Sequence, residues 1–156
     1  ESFNSPKGTI FLKMASITTD DEQRAISFND DGSNEIRVRY YNQGIGVRMI
    51  VDGVNVASFS TQQLDQTPFR NIAFNWDETS CSFWVDGEQI GSAILTGSYP
   101  ADTLLFCSIA DSEGTNQFRG WLEELSVYDN NDIDMEDLTD YNTFEIMANN
   151  LNYTVQ

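Results

Sequence analysis

Residues 70–95 read RNIAFNWDETSCSFWVDGEQIGSAIL, and this stretch decides the fold. Ile72, Phe74 and Trp76 alternate with Asn71, Ala73 and Asn75, the period of two of a strand with one buried face. Cys81, Phe83 and Val85 repeat the alternation after the turn-like WDETS. Asp86-Gly87 then reverses the chain, because glycine tolerates the positive φ that a tight hairpin turn needs. The stretch is predicted to run strand, loop, strand, glycine turn, strand. Parity also assigns faces: Trp76 shares the core side with Ile72 and Phe74, whereas Trp84 points away from it.

The same grammar extends in both directions. Gly8–Ile17 alternates Ile10, Leu12 and Met14 with Thr9, Phe11 and Lys13. Ala25–Phe28 is a short strand that runs into the turn cluster NDDGSNE. Ile36–Tyr41 sets Ile36, Val38 and Tyr40 on one face and Arg37, Arg39 and Tyr41 on the other. Val47–Val51 and Val54–Ser60 flank an Asp52-Gly53 turn, and Thr103–Ala110 is a further apolar run. In Phe118–Tyr128 the spacing of Leu122, Leu125 and Val127 breaks a strict period of two, which predicts a bulge near Glu123-Glu124. Past Tyr128, Asp134 can cap a short helix with Met135, Leu138 and Tyr141 as an apolar stripe. Residues 142–156 are expected as a last strand or a packed tail. Many short strands with Gly and Asp turns and almost no helix predict an all-β sandwich, one domain over residues 1–156.

Two motifs carry a resemblance. CSFWVDGEQIG at 81–91, followed downstream by FRGWLEELSVYD at 118–129, resembles the laminin G-like branch of the concanavalin A-like lectin/glucanase family. The likeness covers roughly residues 8–140 and implies a jelly roll of two packed antiparallel sheets. It also implies the range of functions on that fold: glycan or cell-surface recognition, calcium at the rim of the sandwich in laminin G-like members, and hydrolysis in glucanases.

Bulk chemistry narrows these options. Twenty-five acidic against eight basic residues give a net charge of −17, a field that opposes phosphate, so nucleic acid is not expected as a partner. No apolar run is long enough to insert in a membrane. The chain contains no His, which removes imidazole as acid, base or metal ligand. Cys81 and Cys107 lie on separate predicted strands and read as two buried thiols, or as a pair if those strands are neighbours. Glu1 as first residue reads as the cut end of a longer chain.

Three groups of residues could carry chemistry. Asp132, Asp134 and Glu136 imitate the E-x-D-x-E strand motif of the glucanases, but they follow YDNN where a helix start is the better reading. A helix would scatter the three carboxylates, so a non-catalytic role is expected. Calcium would be held by the oxygen-rich loops Asp30, Asp31 and Asn34 and Asp111, Glu113 and Asn116, although the same residue types are what turns are made of. A glycan or a cell-surface receptor would use the outward aromatics Trp84, Tyr41 and Trp121 with the guanidinium groups of Arg37, Arg39 and Arg48, half of the six arginines. Cross-strand ion pairs are the simpler account of those arginines, and cover by a loop, the tail or another subunit is the simpler account of Trp84. If Trp84 is an open platform, its replacement by Ala should weaken binding and spare the fold. The expected role is a recognition module on a virion, such as a tail fibre, or another extracellular surface, with or without calcium. The alternative is an assembly domain that buries its aromatics and tail against neighbouring subunits.

Overall fold

The structure, a computed structural model, describes residues 6–17, 24–30, 32–110, 114, 116–130 and 132–140. Alternation and turn chemistry produce ten strands among them: β1 (Gly8–Ser16), β2 (Arg24–Asn29), β3 (Glu35–Tyr41), β4 (Gly44–Val51) and β5 (Val54–Ser60). There follow β6 (Arg70–Trp76), β7 (Ser80–Val85), β8 (Glu88–Ile94), β9 (Phe106–Ser108) and β10 (Gly120–Tyr128), and then the helix α1 (Met135–Thr139). One antiparallel sheet has the order β10-β1-β6-β7-β8 and the other β5-β4-β3-β2-β9. This is a jelly-roll sandwich of two antiparallel sheets, with the strand–turn–strand of residues 70–95 as β6–β8.

Three hairpin turns, Asn42-Gln43, Asp52-Gly53 and Asp86-Gly87, have positive φ at both central residues, from 49° to 81°. That geometry matches the right-handed twist of the flanking strands and keeps neighbours paired. Between the sheets, Ile10, Leu12 and Met14 of β1 and Ile72, Phe74 and Trp76 of β6 meet Ile36, Val38 and Tyr40 of β3 and Val47 and Met49 of β4. Trp76 stacks on Phe74 with ring centroids 5.9 Å apart. The polar ends of buried tyrosines are satisfied: Tyr40 Oη donates to Met14 O (2.9 Å) and Tyr99 Oη to Glu35 O (2.8 Å). The expected bulge is present, since the β1–β10 register pairs Lys13 with Glu124 but Met14 with Leu122, which leaves Glu123 as the extra residue.

A second, smaller cluster lies on the outer face of the β1 sheet. Phe11, Ala73 and Met135 are buried there, with Trp84, Tyr128, Ile133 and Leu138 packed around them. Asp134 caps α1 by accepting from Asp137 N (3.2 Å). The end of the helix is pinned by two bonds, Asn71 Nδ2 to Thr139 O (3.2 Å) and Gly87 N to Thr139 Oγ1 (3.0 Å). Tyr141 and the expected strand or tail at 142–156 lie outside the described residues.

The sandwich differs at its two sides. Along one, β5 and β8 close together, with the Phe59 ring lying where a side chain at Gly91 would stand. Along the other, the edge strands β9 and β10 leave Leu105, Ile109, Leu122, Leu125 and Val127 exposed. The expectation of two buried thiols therefore holds for Cys81 and fails for Cys107, which is exposed; both are free. They lie in different sheets, and β9 is an edge strand with no strand beyond it among the described residues. Burial pushes the Cys81 thiol up to about 11, as suits an inert core residue.

Candidate functional site

The arginines are brought together by register. On the outer face of the second sheet, Arg37 of β3 sits directly opposite Arg48 of β4, and Arg39, two residues further along β3, sits opposite Gly46. Their other neighbours are small: Ser27 beside Arg37, Ala25 beside Arg39 and Ser58 beside Arg48. The three side chains are held differently. Arg37 is buried in an ion pair with Glu35, Nε to Oε1 at 3.0 Å and the second nitrogen to Oε2 at 2.8 Å. Arg39 lies 4.7 Å from the centroid of the Tyr41 ring, a cation–π contact. Arg48 is partly exposed, and its Nε is buried without a hydrogen-bond partner among the described residues.

Three guanidinium groups on two adjacent strands repel one another. Burial, and after it the charges of Arg37 and Arg48, press Arg39 below the ordinary arginine value, while Tyr41 and Glu35 act in the opposite sense. Arginine keeps its proton regardless, so the three groups present fixed positive charge on this face. The guanidinium fork is matched to carboxylate and sulfate oxygens. Glu35 was not among the residues singled out from the sequence, although its i, i+2 spacing to Arg37 puts both on one strand face.

The outward tryptophans do not join this group. Trp84 is on the other sheet and faces away from the core, but α1 covers it: it is half-buried in the second cluster, and its Nε1 donates to Ser82 Oγ (2.8 Å). The reading of Trp84 as an open platform is thus corrected; the chain returns across it through a segment fifty residues downstream. Trp121 is 65% exposed on the outer face of β10, opposite Ala15 and again on the other sheet. Of the aromatics singled out, Tyr41 alone stands with the arginines.

The described members of the oxygen-rich loops are engaged in building turns. Asp30 Oδ1 accepts from Gly32 N (2.9 Å) and Asn34 N (3.0 Å), and its Oδ2 accepts from Asn34 Nδ2 (2.7 Å). Partial burial raises its carboxyl, but these bonds outweigh it and hold the group below the usual carboxylate value. Asn34 Oδ1 in turn accepts from Asp52 N (2.9 Å), tying this loop to the β4–β5 turn. Asn116 O accepts from Ala25 N (3.1 Å). Asp31, Asp111 and Glu113 lie outside the described residues, and no cluster of three acidic, Cys or His groups able to hold a metal occurs among those described. The carboxylates of Asp132, Asp134 and Glu136 lie before and within α1, not on a strand facing a cleft.

One cavity escaped the sequence reading. A 510 Å³ cleft at one end of the sandwich is lined by Gln62, Gln63, Leu64, Glu88 and Gln89, with the Arg70–Asp86 ion pair (2.8 Å) at its wall. Its lining comes from the connector after β5 and from the β7–β8 turn and the start of β8, which only the fold brings together.

With this geometry in place, the chain can be set among known proteins. The family described as the concanavalin A-like lectin/glucanases superfamily matches over residues 4–131, and the chain belongs to it. No curated protein matches it in sequence. Among solved structures, the CBM40 module of Ruminococcus gnavus IT-sialidase bound to α2,3-sialyllactose is similar with a TM-score of 0.64 and 16% identity, over 87% of this chain and 83% of that one. The leech intramolecular trans-sialidase complexed with 2,7-anhydro-Neu5Ac is similar with a TM-score of 0.63 and 19% identity, over 88% of this chain, which spans only 24% of that enzyme. The heptameric SAP-like pentraxin of Limulus polyphemus gives 0.65 and 12%, over 88% of this chain and 70% of that one. At these identities the likeness is one of fold.

Proposed function

We propose that this domain is a non-catalytic carbohydrate-recognition module that takes an acidic sugar on the outer face of β3 and β4. The acidic group of the glycan is received by Arg39 and Arg48, with Arg37 held behind them by Glu35 and with Tyr41 offering a ring face to the sugar. The observation that carries this reading is Arg48: in a chain of net charge −17, its Nε is buried without an acceptor among the described residues, opposite a second arginine. An unpaired buried donor costs on the order of 1–3 kcal/mol, which a ligand that neutralises the group offsets. Fold relatives that include a module bound to sialyllactose support a carboxylated sugar as the first ligand to test. Display on an extracellular or virion surface belongs to the same proposal.

The test is a titration with α2,3-sialyllactose against neutral lactose, in the wild type and in Arg48→Gln. The acidic sugar should bind with a salt-dependent affinity, lactose weakly or not at all, and Arg48→Gln should lose about 10- to 100-fold, the loss of one charge-assisted contact. Equal affinity for both sugars, or an unchanged Arg48→Gln, defeats the reading. Melting in millimolar calcium against chelator, run alongside, tests calcium assistance: a metal that binds only the folded state raises the melting temperature. The binding proposed here needs no such shift.

A further inference from the structure

The cleft at the end of the sandwich shares no residue with the arginine face, and both of its walls are anchored in the fold. Thr61 Oγ1 accepts from Ile45 N (3.0 Å), Leu64 N donates to Gln43 O (2.8 Å) and Gln66 Nε2 donates to Gly44 O (2.9 Å). These bonds fix the connector after β5 to the β3–β4 turn and the start of β4. Opposite, Asp86 Oδ1 accepts from Asn71 N (2.9 Å), its Oδ2 accepts from Arg70 (2.8 Å), and Gly87 N donates to Thr139 Oγ1 (3.0 Å). The β7–β8 turn is thereby held as well. A cleft with fixed walls loses little freedom when it takes a ligand.

The lining divides by chemistry. Leu64, Val85 and Ile90 form an apolar floor that continues into the core. Gln62, Gln63 and Gln89 are exposed around it, and their side-chain amides make no hydrogen bond among the described residues. Each amide offers two donors and an acceptor. Arg70 pairs with Asp86 and gives its Nε and a second nitrogen to Asp65 O (3.2 and 2.7 Å). Glu88 is then the unpaired charge of the lining among the described residues, so the cleft disfavours an anion.

We propose that this cleft is a second carbohydrate site, independent of the arginine face, and that it takes an uncharged sugar bearing an acetamido group. The acetamido methyl rests on the apolar floor. Its N–H and C=O meet the C=O and N–H of the glutamine amides, a complement in which each partner both donates and accepts. The Glu88 carboxylate accepts from a ring hydroxyl. The volume, 510 Å³, is that of a small-molecule site with an apolar floor and a few polar groups. A peptide shares the amide chemistry, but peptides are taken up along an open strand edge or an apolar groove. On the connector wall the Thr61 and Leu64 N–H groups are already bonded to Ile45 O and Gln43 O, and what that wall offers is side chains.

The experiment titrates the full chain with N,N′-diacetylchitobiose, followed by calorimetry and by NMR of the side-chain amides. Cellobiose, which has the same linkage without acetamido groups, and acetyl-trialanine amide serve as the comparisons. Diacetylchitobiose should shift the amide signals of Gln62, Gln63 and Gln89 and bind about tenfold or more tightly than either comparison. The double substitution Gln63→Ala and Gln89→Ala, both at exposed positions, should weaken it about tenfold or more, and Arg48→Gln should leave it unchanged. No shift of the three glutamine signals at millimolar sugar overturns the proposal, and this reading is taken on the wild type, independent of how any variant folds. Equal binding of cellobiose overturns it, as does tighter binding of the peptide. So does an affinity that survives the double substitution, or one lost in Arg48→Gln, which would return the sugar to the arginine face.

Discussion

The two sides of the sandwich solve the same problem in opposite ways. Where β5 meets β8, a residue without a side chain, Gly91, gives its space to the ring of Phe59, and the sheets shut on themselves. Where β9 and β10 stand, the inward positions carry leucine, valine and isoleucine, and the bulge at Glu123 bends the strand that bears them. A glycine at an edge closes the fold with what is already there. A row of large apolar residues at an edge requires something further to cover it. The difference between an edge that ends the domain and one that continues it can thus be read from the residue sizes at inward positions.

Leu12 and Leu125 sharpen the comparison, because they are direct cross-strand partners, fully buried in one case and 37% exposed in the other. Leu12→Ala should cost about 2–5 kcal/mol in chemical denaturation and be the most damaging change. Gly91→Ala should cost about 1–3 kcal/mol, since its methyl must displace the Phe59 ring. Leu125→Ala should cost about 1 kcal/mol if the edge is open to water; a value close to that of Leu12→Ala would show that the edge is covered in solution. Arg48→Gln, on the face of the other sheet, removes the unpartnered buried Nε and should therefore leave the fold as stable or raise its stability by up to about 1–3 kcal/mol, while weakening acidic-sugar binding about 10- to 100-fold. A large loss of stability there would make Arg48 a structural residue.

Acid should act least, and in one direction. Asp77 Oδ1 accepts from Thr79 N (2.6 Å) and Ser80 N (2.8 Å), closing the β6–β7 loop. Burial raises its carboxyl, but these bonds outweigh that and leave it below its ordinary value, as happens at Asp30. A depressed folded-state value means that the contribution is complete above the unfolded value, near pH 4, and is lost as pH falls through the folded one. The melting temperature should therefore be insensitive to these groups between about pH 6 and 8 and should fall below about pH 4. Asp77→Asn should flatten part of that fall, and an acid limb of unchanged slope would remove Asp77 from this account.

Local signals in the sequence were enough for the strands. The Asp-Gly turns, the alternation of Ile72, Phe74 and Trp76 and the broken spacing of Leu122, Leu125 and Val127 each act over a few residues, and each reappears in the structure. Parity on two paired strands likewise sufficed to put Arg37, Arg39 and Arg48 on one face with Tyr41. What alternation cannot convey is cover. It gave the correct face for Trp84 but not the helix that crosses it, and the correct side for Cys107 but not its exposure on an edge strand. In the loop of Asp30 and Asn34, composition did not convey the contacts: their oxygens accept hydrogen bonds that build the turn and tie it to the β4–β5 turn.

The sheet order also has a consequence for how the molecule comes into being. β2 to β5 and β6 to β8 are each built of successive neighbours, so both groups can assemble from hairpins as they emerge during synthesis. β1 is different: it lies between β6 and β10, and Lys13 meets Glu124 across the register. At ribosomal speed the roughly 110 residues between those partners take about 6 to 20 seconds to appear. For that interval the strand with Ile10, Leu12 and Met14 on one face must wait with at least one edge unpaired. An interior strand of one sheet is made early and is the last to be enclosed.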